Sequence, residues 1–457
     1  MPLPVIAIFD IGKTNKKFFL FDEQMNEIKQ EYNKIPLTQD EDGFECDDLA
    51  TLTAWIKSTV DGICKSPDYE LKGVNFSTYG ASFVHIGEDG QPLTPLYNYL
   101  KEIPKEIIDE FYQAYPEETN NLETASPSLG MLNSGLQLYW LKKTKPELFK
   151  KINYSLHFPQ YLSYLFTGKA VSEPTSIGCH TRLWDFQKGA YHAWVRQEGI
   201  DRLLPEIVPT GKTFTSELCG HEVQVGVGIH DSSSALASYL VRIKEPFLLI
   251  STGTWSISLN PFTEDPLTQE ELHNDCLNFL SIDGNPVKAS RFFMGYEFNY
   301  QIDRINKHFH KPDKYYKTIQ IDKAIIQQIR EGKLKNTFYP KHIAETPLVK
   351  SLFEGNEWQP EEFGSYEEAY HHLIWGLTLL QVASLKLAQG SSSIRKVFID
   401  GGFVHNEVFM DLLQHYLPGY ELEFSDFPLG SAYGAALVLE QGEKDSIGVK
   451  KSTNFSN

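Results

Sequence analysis

The sequence predicts an α/β protein built from two domains, and three observations lead there. The chain has 457 residues, and domains usually run to about 100–200 residues, so two large domains are the natural expectation. A strand–polar turn–strand pattern occurs near residue 5 and again near residue 247, weak internal symmetry that suggests duplication with a split near residues 240–246. Around these repeats, short buried-strand runs alternate with segments of helical spacing.

The elements follow in order. Val5-Ile6-Ala7-Ile8-Phe9 reads as a buried strand, Asp10 to Asn15 as a polar turn, and Phe18-Phe19-Leu20-Phe21 as a second strand of a meander. Leu49 to Ile63 has helical spacing. Val74 to Ser77 is a strand, followed by Thr78-Tyr79-Gly80, and Phe83 to Ile86 comes next. The middle is helix-rich, at Gly135 to Lys143 and Tyr161 to Phe166. Val223 to Ile229 is a strand running into a helix that opens at His230-Asp231-Ser232. Pro246 to Ser251 then repeats the opening design, with Thr252-Gly253-Thr254 as its turn and Trp255 to Leu259 as its second strand. A long helical pattern covers Ala369 to Ala388. Lys396 to Asp400 is a strand before the turn Gly401-Gly402, and Met410 to Tyr416 is helical. Ser431 to Ala436 opens a helix of small residues suited to close packing.

Composition narrows the function. Hydrophobic content of 41% and charged content of 22% are ordinary for a globular enzyme. A formal net charge of −18 repels phosphate backbones and anionic headgroups, so neither nucleic acid nor a membrane surface is expected as partner. No uncharged apolar run is long enough to span a bilayer, and Val5 to Phe9 is too short for a signal core. The five cysteines (Cys46, Cys64, Cys179, Cys219, Cys276) are scattered without a CxxC pair, so reduced thiols in a cytoplasmic protein are expected.

Four segments carry candidate chemistry. Asp10-x-Gly12-Lys13-Thr14-Asn15 sets an acid at a strand end beside a turn rich in donors. Backbone N–H groups there can face an anion, and Asp10 can hold Mg²⁺ through water. An ordinary hairpin turn explains the same residues. Ser251-Thr252-Gly253-Thr254 has the same logic and the same plain alternative. Asp231 stands where a strand meets a helix, as either an N-cap or a base taking the proton of a hydroxyl that attacks a phosphoryl group. Asp400-Gly401-Gly402 through Asn406 admits a flat ligand close to backbone, or is a turn.

Their order resembles that of the actin-like ATPase superfamily and, within it, the FGGY carbohydrate kinases, from about Ile6 to about Leu439. Several segments are similar to the branch acting on L-rhamnulose and L-fuculose: Ser77-Thr78-Tyr79-Gly80, Phe158 to Gly168, Gly228 to Ser232, Ser251 to Trp255, Gly401 to Asn406 and Ser431 to Ala436. The resemblance implies two actin-like, RNase-H-like domains, each a mixed five-stranded sheet flanked by helices, with an interdomain cleft that closes on its ligands. Residues 1–242 would form the sugar-binding domain, 243–440 the ATP-binding domain and 441–457 a polar tail.

By the same resemblance, Asp231 would be the catalytic base. Thr78, Gly80, His230, Asp231 and Ser232 would bind the sugar. Gly12, Lys13, Thr14, Asn15, Gly253, Thr254, Gly401, Gly402 and Asn406 would hold ATP, and Asp10 would organise Mg²⁺. The expected reaction phosphorylates a ketose such as L-rhamnulose or L-fuculose at its 1-hydroxyl. The alternatives are another ketose or polyol (xylulose, ribulose, glycerol) and a non-catalytic nucleotide- or sugar-binding regulator. A homodimer is left open. The chain departs from the family's pattern on the sugar side. Gln160 stands where the family often has Asp, Tyr97 to Lys101 replace a Trp-x-Asp-x-Arg-like segment, and Phe292 takes the place of a polar sugar contact.

Overall fold

The computed structural model describes residues 1–353, 358–424 and 430–447. They divide into two compact units. The first takes Met1–Lys244, Phe279–Asn285 and the helix Gly430–Ile447; the second takes Glu245–Asn278 and the described residues of Pro286–Phe427.

The first unit is built on a seven-stranded sheet. Its strands are β1 (Leu3–Ile11), β2 (Lys16–Asp22), β3 (Glu27–Asn33), β4 (Tyr69–Thr78), β5 (Thr213–Leu218), β6 (His221–Gly226) and β7 (Ile229–His230), in the order β5-β6-β4-β1-β2-β3 with β7 also on β4. The opening meander is the antiparallel set β1-β2-β3, while β4 pairs β1 in parallel. β1 is central and covered on both faces, which is why its sequence is a continuous apolar run rather than an alternating one. Val5, Ala7, Phe9 and Ile11 share a core with Leu52, Ile56 and Val60 of the helix Leu49–Lys65. Ile6 and Ile8 share the opposite core with Ala237, Ala435 and Leu439. β3, at the edge, carries mostly exposed polar residues.

The small residues of Gly430–Ile447 do what their size suggests. A Cβ on Gly434 would stand 1.7 Å from the Ser234 carbonyl oxygen, so only glycine lets this helix approach the helix Asp231–Leu240 so closely. Ser234 Oγ donates to the Ser431 carbonyl at 2.6 Å, and Asn75 Nδ2 on β4 donates to the Ala435 carbonyl at 2.9 Å.

The second unit carries a six-stranded sheet of β8 (Leu248–Thr252), β9 (Ser256–Asn260), β10 (Cys276–Leu280), β11 (Pro286–Phe292), β12 (Lys396–Gly401) and β13 (Glu421–Phe424), ordered β10-β11-β9-β8-β12-β13. The helix Tyr366–Gln389 is apolar around much of its circumference and runs through the core, capped by Ser365 Oγ accepting from Glu368 N at 3.1 Å. Phe292 is buried in that same core.

The duplication is visible strand by strand. β6-β4-β1-β2-β3 and β13-β12-β8-β9-β11 have the same order, each with a parallel set followed by an antiparallel meander. These are the five strands expected of each domain. β5 and β7 enlarge the first sheet and β10 the second.

Three features differ from the sequence expectations. Residues 279–285 and 430–440, placed in the second domain by sequence, group with the first unit. The causes are local: Leu280 fills the space left by the missing side chain of Gly178, and Asn75 and Ser234 bond the last helix. The segment read as a polar tail continues that helix to Ile447, and residues 448–457 lie outside the described residues. Finally, Cys64 and Cys219 form a disulfide with Cα atoms 4.7 Å apart, although they are 155 positions apart in sequence; Cys46, Cys179 and Cys276 are buried and form no disulfide. No described helix is long and apolar enough to cross a membrane.

Candidate active site

Sheet register assembles the first cluster. In the parallel β1–β4 pairing, Asp10 aligns with Ser77 and Ile11 with Thr78; in the β4–β7 pairing, His230 aligns with Thr78. Asp10, Thr78 and His230 therefore stand together at the carboxyl ends of three neighbouring parallel strands, the edge of an α/β sheet where ligands bind.

Asp231 follows as the first residue of the helix Asp231–Leu240, and His230 is the N-cap residue. Asp231 is thus not the cap. Its Oδ1 accepts from Ser232 N at 2.6 Å and lies 3.2 Å from His230 Nε2. Its side chain is 32% exposed. Burial pushes its carboxyl up to about 6, against the lowering effect of the Ser232 bonds. His230 is buried, and burial pushes its imidazole down to about 4, so it is neutral at pH 7. With a neutral imidazole, the 3.2 Å Asp231–His230 contact is not an ion pair. Cys179 Sγ lies 3.1 Å from His230 Nε2, and Ser233 Oγ 3.3 Å from Nδ1. Gly80 has no room for a side chain, because a Cβ there would meet Cys179 Sγ at 2.7 Å and His230 Cδ2 at 3.1 Å. Thr78 is fully buried and its hydroxyl donates to the Tyr79 carbonyl at 2.9 Å.

Asp10 is nearly buried and accepts from Ser431 Oγ at 2.8 Å. Burial raises its carboxyl; the Ser431 bond opposes this, and the negative charge of Asp231 adds to the rise. A carboxyl raised by a neighbouring carboxylate marks a negative site that a cation relieves. Mg²⁺ takes few carboxylates and keeps several waters, so this donor set fits it. Among the described residues no group of three or more His, Cys, Asp or Glu forms a richer metal cage. Lys17 Nζ stands 4.0 Å from Asp10 Oδ2. The sequence reading passed over Lys17, yet its place at the start of β2, where side chains alternate, was the available signal.

The turn after β1 is closed by Gly12 N donating to the Asn15 carbonyl at 2.9 Å, with Thr14 and Asn15 exposed. Lys13, assigned by sequence to the nucleotide, pairs through its Nζ with Asp47 Oδ2 at 2.8 Å. Gln160, at the position of the family's Asp, donates to the carbonyls of Val227 (3.2 Å) and Gly228 (3.1 Å), bracing the turn before His230. Lys101 pairs with Asp40 and Asp42, and Tyr97 is buried.

The second unit holds a cavity of about 870 Å³ lined by Gly253, Thr254, Gly402 and Asn406, four of the residues expected there. Phe298, Asn299, Tyr370 and the stretch Tyr316 to Gln320 complete much of its wall. No turn, glycine or charge pattern marks these in the sequence. Gly401 lies behind the wall, not in it. Its φ is +92°, and a Cβ there would meet the Thr252 carbonyl oxygen at 1.8 Å. Its role is backbone geometry. Asn406 is partly structural, its Oδ1 capping the helix Glu407–Tyr416 and its Nδ2 donating to Tyr370 OH at 2.9 Å. The loop Gly253–Thr254 is fixed by Gly253 N donating to the Trp255 carbonyl (2.8 Å) and Gly295 N to the Thr254 carbonyl (3.0 Å).

Comparison with known proteins adds to this geometry. Residues 5–235 match the model of the FGGY family of carbohydrate kinases, N-terminal domain, and residues 244–446 that of carbohydrate kinase FGGY, C-terminal domain. The chain is similar to a rhamnulokinase of Halalkalibacterium halodurans, 28% identical over 257 residues, covering 54% of this chain and 52% of that protein. A rhamnulokinase of Oceanobacillus iheyensis is 28% identical over 210 residues, covering 44% and 43%. The chain thus spans about half the length of the curated relatives it matches. In fold it is similar to a carbohydrate kinase from Novosphingobium aromaticivorans (TM-score 0.80, 23% identity, covering 97% of this chain and 92% of that one). It is also similar in fold to Plasmodium falciparum glycerol kinase with ADP (TM-score 0.73, 18% identity, covering 98% and 92%).

Proposed function

We propose that this chain, which belongs to the FGGY family of carbohydrate kinases, transfers the γ-phosphoryl group of ATP to a hydroxyl of a small sugar. The observation that carries the reading is the Asp231 carboxylate, about one-third exposed, beside neutral His230, at the strand ends that also present Asp10 and Thr78.

In this reading Asp231 accepts the proton of the attacking sugar hydroxyl. A carboxyl raised to about 6 is ionised at neutral pH yet more basic than an ordinary aspartate, which suits a general base. His230, neutral and fixed by Cys179 and Ser233, stands beside the Asp231 oxygen and offers its ring edge to the sugar. Gly80 leaves room for that ring, and Thr78 and Ser232 border the same strand ends. Gly253, Thr254, Gly402 and Asn406 contribute to the nucleotide's cavity, while Gly12 closes the turn from which the exposed Thr14 and Asn15 offer donors to its phosphates. Mg²⁺, when bound, would be held by Asp10 through water and would neutralise phosphate charge. Phosphoryl transfer needs little more than such positioning, a base and charge neutralisation.

For the substrate, similarity to two rhamnulokinases favours a 6-deoxy-ketohexose, L-rhamnulose or L-fuculose, phosphorylated at the 1-hydroxyl. An ADP-release screen over ketoses, aldoses and polyols tests the function. ADP formation that depends on a ketose is expected. Sugar and nucleotide binding without turnover across the whole panel would instead mark a non-catalytic regulator.

A further inference from the structure

Lys13 sits in a cluster that the phosphate-loop reading does not use. Asp47, 2% exposed, receives three donors: Lys13 Nζ at 2.8 Å, Lys16 Nζ at 2.7 Å and Tyr79 OH at 2.8 Å. Lys16 is spent within the fold, because its ammonium also donates to the carbonyls of Gly12 (3.0 Å) and Lys13 (2.9 Å). Its side chain is 4% exposed. Lys13 differs. Its side chain is 24% exposed, and one carboxylate oxygen is the only hydrogen-bond acceptor it has among the described residues.

The direction of that ammonium is informative. It lies 5.2 Å from the Tyr79 ring centroid and 5.4 Å from that of Tyr99, two rings packed edge to face at 5.8 Å. Tyr79 belongs to the segment Thr78–Gly80 that packs against His230. Tyr99 is half-buried, and after burial the charge of Asp231 is what most raises its phenol, so Tyr99 lies within electrostatic reach of the proposed base. Ion pairing with Asp47 and two aromatic faces hold the ammonium on the side of the turn that carries Tyr79 and Tyr99. An ammonium already paired with a carboxylate adds little net charge for a polyphosphate, yet keeps two N–H donors for neutral hydroxyls.

We infer that Lys13 is a sugar-binding residue that donates hydrogen bonds to substrate hydroxyls, not a nucleotide-phosphate cation. Asp47 is its positioning residue, and Lys17 beside Asp10 is the cation left to the phosphates. The inference rests on the kinase reading and assigns one residue within it.

Lys13→Met separates the two roles. With the sugar that supports turnover, KM for the sugar should rise about ten- to a hundredfold, the scale of one hydrogen bond to a charged group. The ADP dissociation constant from calorimetry and KM for ATP should stay within about twofold of wild type. Lys13→Gln, which keeps an amide donor, should recover part of the sugar KM, which a purely structural role would not give; it also carries the readout if K13M fails to fold. An unchanged sugar KM, or a loss of ADP affinity that matches the rise in sugar KM, overturns the inference. Failure of the kinase reading shows separately, as wild-type protein that forms no ADP with any sugar, and the inference falls with it.

Discussion

Ser431 Oγ donates a 2.8 Å hydrogen bond to Asp10 Oδ1, tying residues 421 positions apart in the sequence. The first strand and the last helix of the described chain thereby set one carboxylate. Ser431→Ala leaves that nearly buried acceptor short of a partner, a change costing about 1–3 kcal/mol. It also removes the main effect that opposes the raised carboxyl of Asp10. The expected outcome is a lower melting temperature and a several-fold rise in the Mg²⁺ concentration for half-maximal activity, read by metal titration at fixed ATP.

The pH profile follows from Asp231. A base with its carboxyl at about 6 is active when deprotonated, so kcat/KM should rise with pH, reach half its plateau near 6 and flatten above about 7. A profile flat from pH 5 to 8 would contradict this.

The same group makes a stability prediction of opposite sense. Its folded carboxyl lies above the ordinary aspartate value of about 3.9, so the folded state binds more proton between about 4 and 6. Stability from this site is full below that window and is lost as pH rises through it. Asp231→Asn removes the loss. Its melting temperature should exceed that of wild type at pH 8, and the gap should close near pH 4.

Two adjacent glycines should behave differently. Gly401→Ala forces a side chain onto φ +92° and 1.8 Å from the Thr252 carbonyl oxygen, so a loss of at least about 2 kcal/mol is expected. Gly402→Ala meets nothing within 4 Å and should change stability by less than about 1 kcal/mol. Denaturant melts of the two variants check this.

The Cys64–Cys219 disulfide closes a loop of 155 positions, for which chain entropy sets a ceiling of about 5 kcal/mol. Reductant should lower the melting temperature of wild type and leave the Cys64→Ser, Cys219→Ser double variant unaffected.

The fold was legible because it is a repetition of local patterns. Val5 to Phe9 and Leu248 to Ser251 lie in strands covered on both faces, and such strands announce themselves as apolar runs before polar turns. Asp10, Thr78, His230 and Asp231 were legible as motifs, although no motif contains the parallel register that joins them. Side-chain direction was not legible. Lys13 reads as a phosphate ligand in a glycine turn, and no local pattern shows that its ammonium pairs with the distant Asp47 and lies over Tyr79. The disulfide was equally hidden, because Cys64 ends a helix and Cys219 sits in a hairpin turn with no shared spacing. The cavity wall at Tyr316 to Gln320 is a single 3-10 turn, Tyr315–Thr318, and the two residues after it, too short to show a periodicity.

The most direct test of the central assignment is turnover by Asp231→Asn with the sugar that supports wild-type ADP release, measured beside its ADP affinity. A fall in kcat of about a hundredfold to ten-thousandfold with unchanged ADP binding is the predicted result. Near-wild-type turnover would show that Asp231 is not the base.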